Sequence, residues 1–265
     1  MFTSRKSRFM GLVLVGTATA AITGAGFAGL AGSASASTIY QESFARTGSL
    51  GGLSPAPTDS NSATWSTYSA GSSNGWQADG SITVTAATYQ LARLAFAPVS
   101  GNIYTLSETL SPDAASGGYW FGLGFGDNSG TPLFQGQGPW MLLQGNGGGQ
   151  TFTGPGTTGN TTKAAGSYSP GQTAEVVLNT ENSDWTVQWF YNGTPFGGKT
   201  YTYTGATGSN PNPTGIQNVS FVSEGASGSV GNFTLTDTVV PEPATWGLFA
   251  IGGLGLLLLK RRKVV

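Results

Sequence analysis

The chain predicts an all-β sandwich or barrel of about 200 residues carried between two basic, apolar ends. Alternation is the first reason. Ile82 and Val84 alternate with Thr83 and Thr85, and Tyr119, Phe121, Leu123 and Phe125 with Trp120, Gly122, Gly124 and Gly126. Trp185, Val187, Trp189 and Tyr191 likewise alternate with Thr186, Gln188, Phe190 and Asn192. A period of two, rich in aromatic and β-branched residues, is the pattern of strands. Punctuation is the second reason, since Gly, Pro, Ser and Asn cluster at 51–62, 145–171 and 205–215. The third is composition: charged residues are 9%, but 38% hydrophobic and 11% aromatic residues suffice for a core.

Taken in order, residues 1–36 read as a secretory signal. Arg5, Lys6 and Arg8 form its positive head, and Phe9–Leu30 its apolar middle. Gly and Thr dilute that middle, which argues against a lasting membrane anchor. Ala34-Ser35-Ala36 fits the small-x-small cleavage pattern, so Ser37 is expected to begin the mature chain. Residues 37–239 show no repeat and no shift of composition, which makes one domain the economical reading. Within it, the glycine-rich stretch Gly145–Gly166 is expected to be a loop, either a flexible tip, which its length favours, or an ordered ligand-side loop. Asn192-Gly193 signals a type I′ hairpin turn, in which both central residues need positive φ.

The tail, residues 240–265, has three parts: Pro241-Glu242-Pro243, an apolar run Ala244–Leu259, and Lys260-Arg261-Arg262-Lys263. Sixteen residues of helix span roughly 24 Å, short of the roughly 30 Å of a hydrocarbon core. The four cations hold their end in the cytoplasm, so the body lies outside. The prolines stop helix from continuing upstream and leave Glu242 in an extended, accessible segment. This order of parts resembles the PEP-CTERM sorting signal. The resemblance implies an exosortase-type processing protease as partner, a transient stay in the membrane on one helix, and a surface or extracellular destination.

The phrase Trp185–Phe196, with its strand, Asn-Gly turn and second strand, is similar to the hairpin of concanavalin-like and laminin-G-like jelly rolls. Tyr104–Leu110, Gly118–Gly126, Ile216–Phe221 and Gly231–Thr236 extend the similarity over most of the body. The implied fold is two stacked antiparallel sheets. Lectins, carbohydrate-binding modules, glycoside hydrolases and purely structural domains share it, so the fold leaves function open.

With no Cys and no His, the chain lacks disulfides, thiol chemistry, the usual zinc sites and Ser-His-Asp or Cys-His catalysis. Between residues 38 and 239, four cations face eleven carboxylates, a net charge of −7 that repels nucleic acid. Three candidate sites remain. Glu108 shares parity with Tyr104, Leu106 and Leu110, and could join a second acid such as Glu175 or Glu181 in glycoside hydrolysis. Pairing with Arg93, or an escape to solvent, is its structural alternative. Glu42 and Asp237, near the first and last strands of the body, offer hard oxygens for a structural calcium, as does Asp127-Asn128. Trp76 and Trp140 stand beside Gly-, Ser- and Asn-rich stretches and are candidate platforms for a sugar ring; burial in the core is the competing reading. The sum is an exported, non-catalytic β-sandwich with no cofactor required, associated with exopolysaccharide as the sorting signal implies. A jelly-roll glycoside hydrolase or lyase using Glu108 is the competing expectation.

Overall fold

The computed structural model describes residues 35–70, 76–79, 82–84, 89–127, 138–154, 159–163, 166–196, 200–204 and 212–239. The expected leader through Ala34 and the whole tail from residue 240, with Pro241, Glu242, Pro243 and Lys260–Lys263, lie outside the described residues. Ser33–Pro241 form one compact unit. Its strands are β1 (Ser35–Glu42), β2 (Thr47–Ser49), β3 (Pro57–Asp59), β4 (Ser66–Ala70), β5 (Gln77–Asp79) and β6 (Ile82–Val84). Then come β7 (Tyr89–Ala95), β8 (Asn102–Pro112), β9 (Trp120–Gly126), β10 (Trp140–Gln144), β11 (Gly149–Phe152) and β12 (Gly159–Lys163). The last are β13 (Gln172–Asn179), β14 (Thr186–Tyr191), β15 (Thr194–Pro195), β16 (Tyr201–Thr202), β17 (Asn218–Glu224) and β18 (Gly228–Val239). Among the described residues a 3₁₀ turn, Ala114–Ser116, interrupts this order.

Two antiparallel sheets result, a jelly-roll sandwich. The larger runs β15-β14-β13-β8-β18-β6-β5-β2, with β1 also on β18, β3 on β1 and β16 on β14. The smaller runs β12-β11-β10-β9-β17-β7-β4. The spine is β8 beside β18, paired from Pro112↔Gly228 to Asn102↔Val239 with one shift of register between Gly231 and Thr234.

Alternation builds the inter-sheet core. Leu106, Leu110, Val176, Leu178, Val187, Trp189 and Leu235 point inward from the larger sheet, and Phe121, Leu123, Phe125, Val219 and Phe221 from the smaller. Trp65 meets Phe221 and Phe233 edge-on, with ring centroids 5.3 and 5.1 Å apart. Such tilted contacts suit the ring quadrupoles. The Asn192-Gly193 turn forms as expected, with φ of 49° and 72°.

The glycine-rich stretch 145–166 is not simply a loop. It contains β11 and β12, which extend the smaller sheet beyond β10. Gly149 fits there because a Cβ would lie 2.8 Å from the Phe196 ring and 2.9 Å from the Leu142 carbonyl oxygen. Glycine in this stretch permits close packing as well as turning.

Candidate functional site

The acids come first, because they decide what chemistry the body can hold. Glu108 stands on the inner face of β8 and is fully buried. Neither carboxyl oxygen has a hydrogen-bond partner, and burial pushes the group well above the ordinary glutamate range. Burial therefore favours its protonated form. Arg93 does not reach it. The guanidinium side of β7 shares parity with Leu91, on the outer face of the smaller sheet, whereas Glu108 points between the sheets. Glu175 takes the opposite parity on β13, since Ala174 is the residue across from Glu108. Glu181 sits in the polar turn before β14, where Asn179 holds its backbone N–H and its carboxylate. Among the described residues, Glu108 therefore shares no groove with Glu175 or Glu181.

The calcium expectation is also corrected. Glu42 is fully buried, and its Oε1 accepts the Phe44 N–H at 2.8 Å. Its Oε2 accepts the Trp65 indole N–H at 3.3 Å and the Arg46 guanidinium. Glu42 lies across from Phe233, whereas Asp237 lies across from Ser37. Five residues of strand separate the two positions, about 16 Å. Asp237 instead accepts the Ser37 hydroxyl. Among the described residues no cluster of three or more acidic side chains could hold a metal, and Asn128, the other half of the Asp127-Asn128 expectation, lies outside them.

Neither tryptophan offers a platform. Trp76 is 0% and Trp140 1% exposed. Trp76 packs against Phe221 at 4.7 Å in the core. Trp140 stacks on Phe152 at 3.8 Å and 7° on the outer side of the smaller sheet, in a second apolar cluster with Leu91, Leu142 and Val222. Gly124 makes that layer possible, because a Cβ there would stand 2.3 Å from the Trp140 Cβ.

A cleft of about 890 Å³ lies where the two sheets part, beside the start of β1 and the end of β18. Tyr40 and Tyr104 form its firm side. The Tyr40 hydroxyl donates to the Ala95 carbonyl, and burial raises its pKa above the ordinary tyrosine value. The Tyr104 hydroxyl accepts the Val99 N–H at 2.8 Å and the Asn102 amide at 3.0 Å, while its ring meets Phe96 edge-on at 5.0 Å. Residues 60–64 form the opposite wall, tied down by Ser60 N–H to the Ile39 carbonyl and Asn61 N–H to Asp59. Asn61, Asn102 and Gln217 bring amides to this space, and Asp237 is the one carboxylate among its described lining residues. Rings, amides and hydroxyls with little charge suit a polar, uncharged ligand. Sequence reasoning did not find this cleft, because its walls come from five separated segments whose meeting depends on strand register.

A second hollow of about 600 Å³ lies under Tyr168 and Tyr191. Their hydroxyls are bound to the Gln144 and Ser169 carbonyls, and burial pushes the Tyr191 hydroxyl up to about 12. Those bonds make it a structural seam between segments.

Comparison places the delivery signal and the fold. Residues 239–263 match the PEP-CTERM protein-sorting motif. That motif implies an exported protein, held transiently in the membrane and processed by exosortase. Among the described residues no helix is long and apolar enough to cross a membrane. None of the curated proteins matches the chain in sequence. The fold is similar to the endo-1,3-β-glucanase of Streptomyces sioyaensis, at 13% identity and TM-score 0.51, over 78% of this chain and 97% of that one. Weaker likenesses are lectin II of Ulex europaeus, at 12% identity and TM-score 0.40 over 76% and 99% of the two chains, and the Emp46p carbohydrate recognition domain, at 10% and 0.44 over 72% and 96%. At these identities the likeness speaks for the sandwich alone.

Proposed function

We propose that the chain is an exported, non-catalytic β-sandwich that associates with a neutral extracellular polysaccharide through the cleft beside Tyr40 and Tyr104. The body belongs, on this reading, with concanavalin-like and laminin-G-like jelly rolls. Residues 1–36 are removed on export, and the tail from 240 is the sorting device, with Pro241-Glu242-Pro243 offered to the protease and Lys260–Lys263 holding the cytoplasmic end.

The observation that carries the ligand reading is the character of the cleft: amides and aromatic rings, with one acid. A saccharide needs donors and acceptors set around a ring it can pack against, and gains little from net charge. The non-catalytic part rests on Glu108, which is buried and, among the described residues, shares no groove with Glu175 or Glu181. Titration of the exported protein with neutral oligosaccharides, followed by calorimetry, is the test. Binding should fall at least tenfold in Asn61→Ala combined with Gln217→Ala, while the unfolding midpoint stays put. No binding to any neutral glycan, or release of reducing ends during the titration, defeats the proposal.

A further inference from the structure

We infer that cutting the chain before Ser37 sets a new α-ammonium against Asp237, and that this ion pair fastens β1 to β18, the strand that runs into the sorting motif. The inference rests on the export reading above.

The register supplies the argument. Ser35 lies across from Val239, Ala36 from Thr238 and Ser37 from Asp237. The expected cleavage residues are thus paired with the last residues of the body, and the sorting motif begins at the final residue of that ladder. β3 covers β1 only at Tyr40, Gln41 and Glu42, so among the described strands Ser35–Thr38 hang from β18 alone. Removing Ser35 and Ala36 deletes two of these pairings and leaves Ser37 as a strand end, where fraying concentrates.

The same cut creates the remedy. Ser37 already donates its hydroxyl to Asp237 Oδ1. The α-nitrogen is three bonds from that hydroxyl oxygen, about 3 Å away, so the ammonium comes within reach of the carboxylate. Among the described residues the one ion pair is Arg46–Glu42, so no Lys or Arg holds Asp237. Ser37 and Asp237 also line the cleft, so the processed end adds a positive charge beside the Asp237 carboxylate at its rim. An exposed pair of this kind shifts an opening equilibrium by up to about fivefold.

The test uses protein recovered from exporting cells, with intact mass and N-terminal sequencing to establish its first residue. Amide exchange at Thr236 and Thr238 is then measured with and without Asp237→Asn, in two backgrounds. One begins at Ser37. The other carries one extra alanine before Ser37, which displaces the ammonium by about 3.5 Å. Asp237→Asn should speed exchange about two- to fivefold in the first background and leave the second nearly unchanged. Ser37→Ala, which keeps the ammonium, should retain most of the protection. Equal effects of Asp237→Asn in both backgrounds would reduce the contact to the hydroxyl bond and overturn the inference. A first residue other than Ser37 overturns it too, while leaving the export reading intact as long as the leader is gone. Retention of the whole leader on recovered protein would sink both.

Discussion

Two glutamates face the same core from either side of β18, and they live in opposite electrostatic worlds. Glu42, on β1, has a backbone N–H, an indole N–H and a guanidinium directed at its two oxygens. Glu108, on β8, has none. Between them β18 slips: its register with β8 shifts between Gly231 and Thr234, Asn232 turns left-handed at φ 55°, and Phe233 is turned into the core. Two residues there oppose one on β8, the geometry of a β-bulge. Burial is equal at the two sites, so burial alone cannot decide how an acid is held. The donors around it decide.

Breaking the partnered site should cost most. Arg46→Met leaves Glu42 buried without its cation, and stability should drop by about 3 kcal/mol. For a domain of this size, thermal melting should register the change as a fall of about 6–12 °C. The unpartnered site should respond in the opposite sense: Glu108→Met replaces a buried carboxyl without hydrogen-bond partners by an apolar chain and should raise stability by about 1–2 kcal/mol at neutral pH, read from urea midpoints.

The same substitution should flatten the pH profile. Glu108 binds its proton more tightly folded than unfolded, so its contribution is fully present below about pH 4.3, the unfolded value. It then declines as pH rises toward the raised folded value. Urea midpoints of the unaltered protein between pH 4 and 8 should decline accordingly, and those of Glu108→Met should decline less. A profile identical in both proteins would show Glu108 to be solvated after all. The smallest single-contact effect belongs to Trp65→Phe, which removes one donor from Glu42 while keeping an aromatic ring: the lost hydrogen bond should account for about 1 kcal/mol, apart from the lost buried area.

Sequence pattern recovered what is local. The alternation along 185–191 and the Asn192-Gly193 turn carry their own instructions, because strand parity and left-handed φ are set within a few residues. Parity also put Glu108 among apolar neighbours. It could not say whether a donor waits there, since Arg93 sits in the other sheet, facing away. Trp140 shows the reverse difficulty. Trp140-Met-Leu-Leu143 is buried on both faces, so its continuous apolar run does not reveal which side is covered. The cleft was illegible for a third reason. Asn61 and Gln217 are ordinary loop amides until β1, β7, β8 and β17 bring their ends together.

The paired run of β8 and β18 has a mechanical side. Val239 sits at the end of a strand whose terminal stretch is bonded to β1 on one flank and β8 on the other. Inter-strand bonds lie across the strand direction. A pull exerted on residue 239 along that strand is therefore resisted in shear, with many bonds loaded together, whereas a pull across it would peel them open one after another.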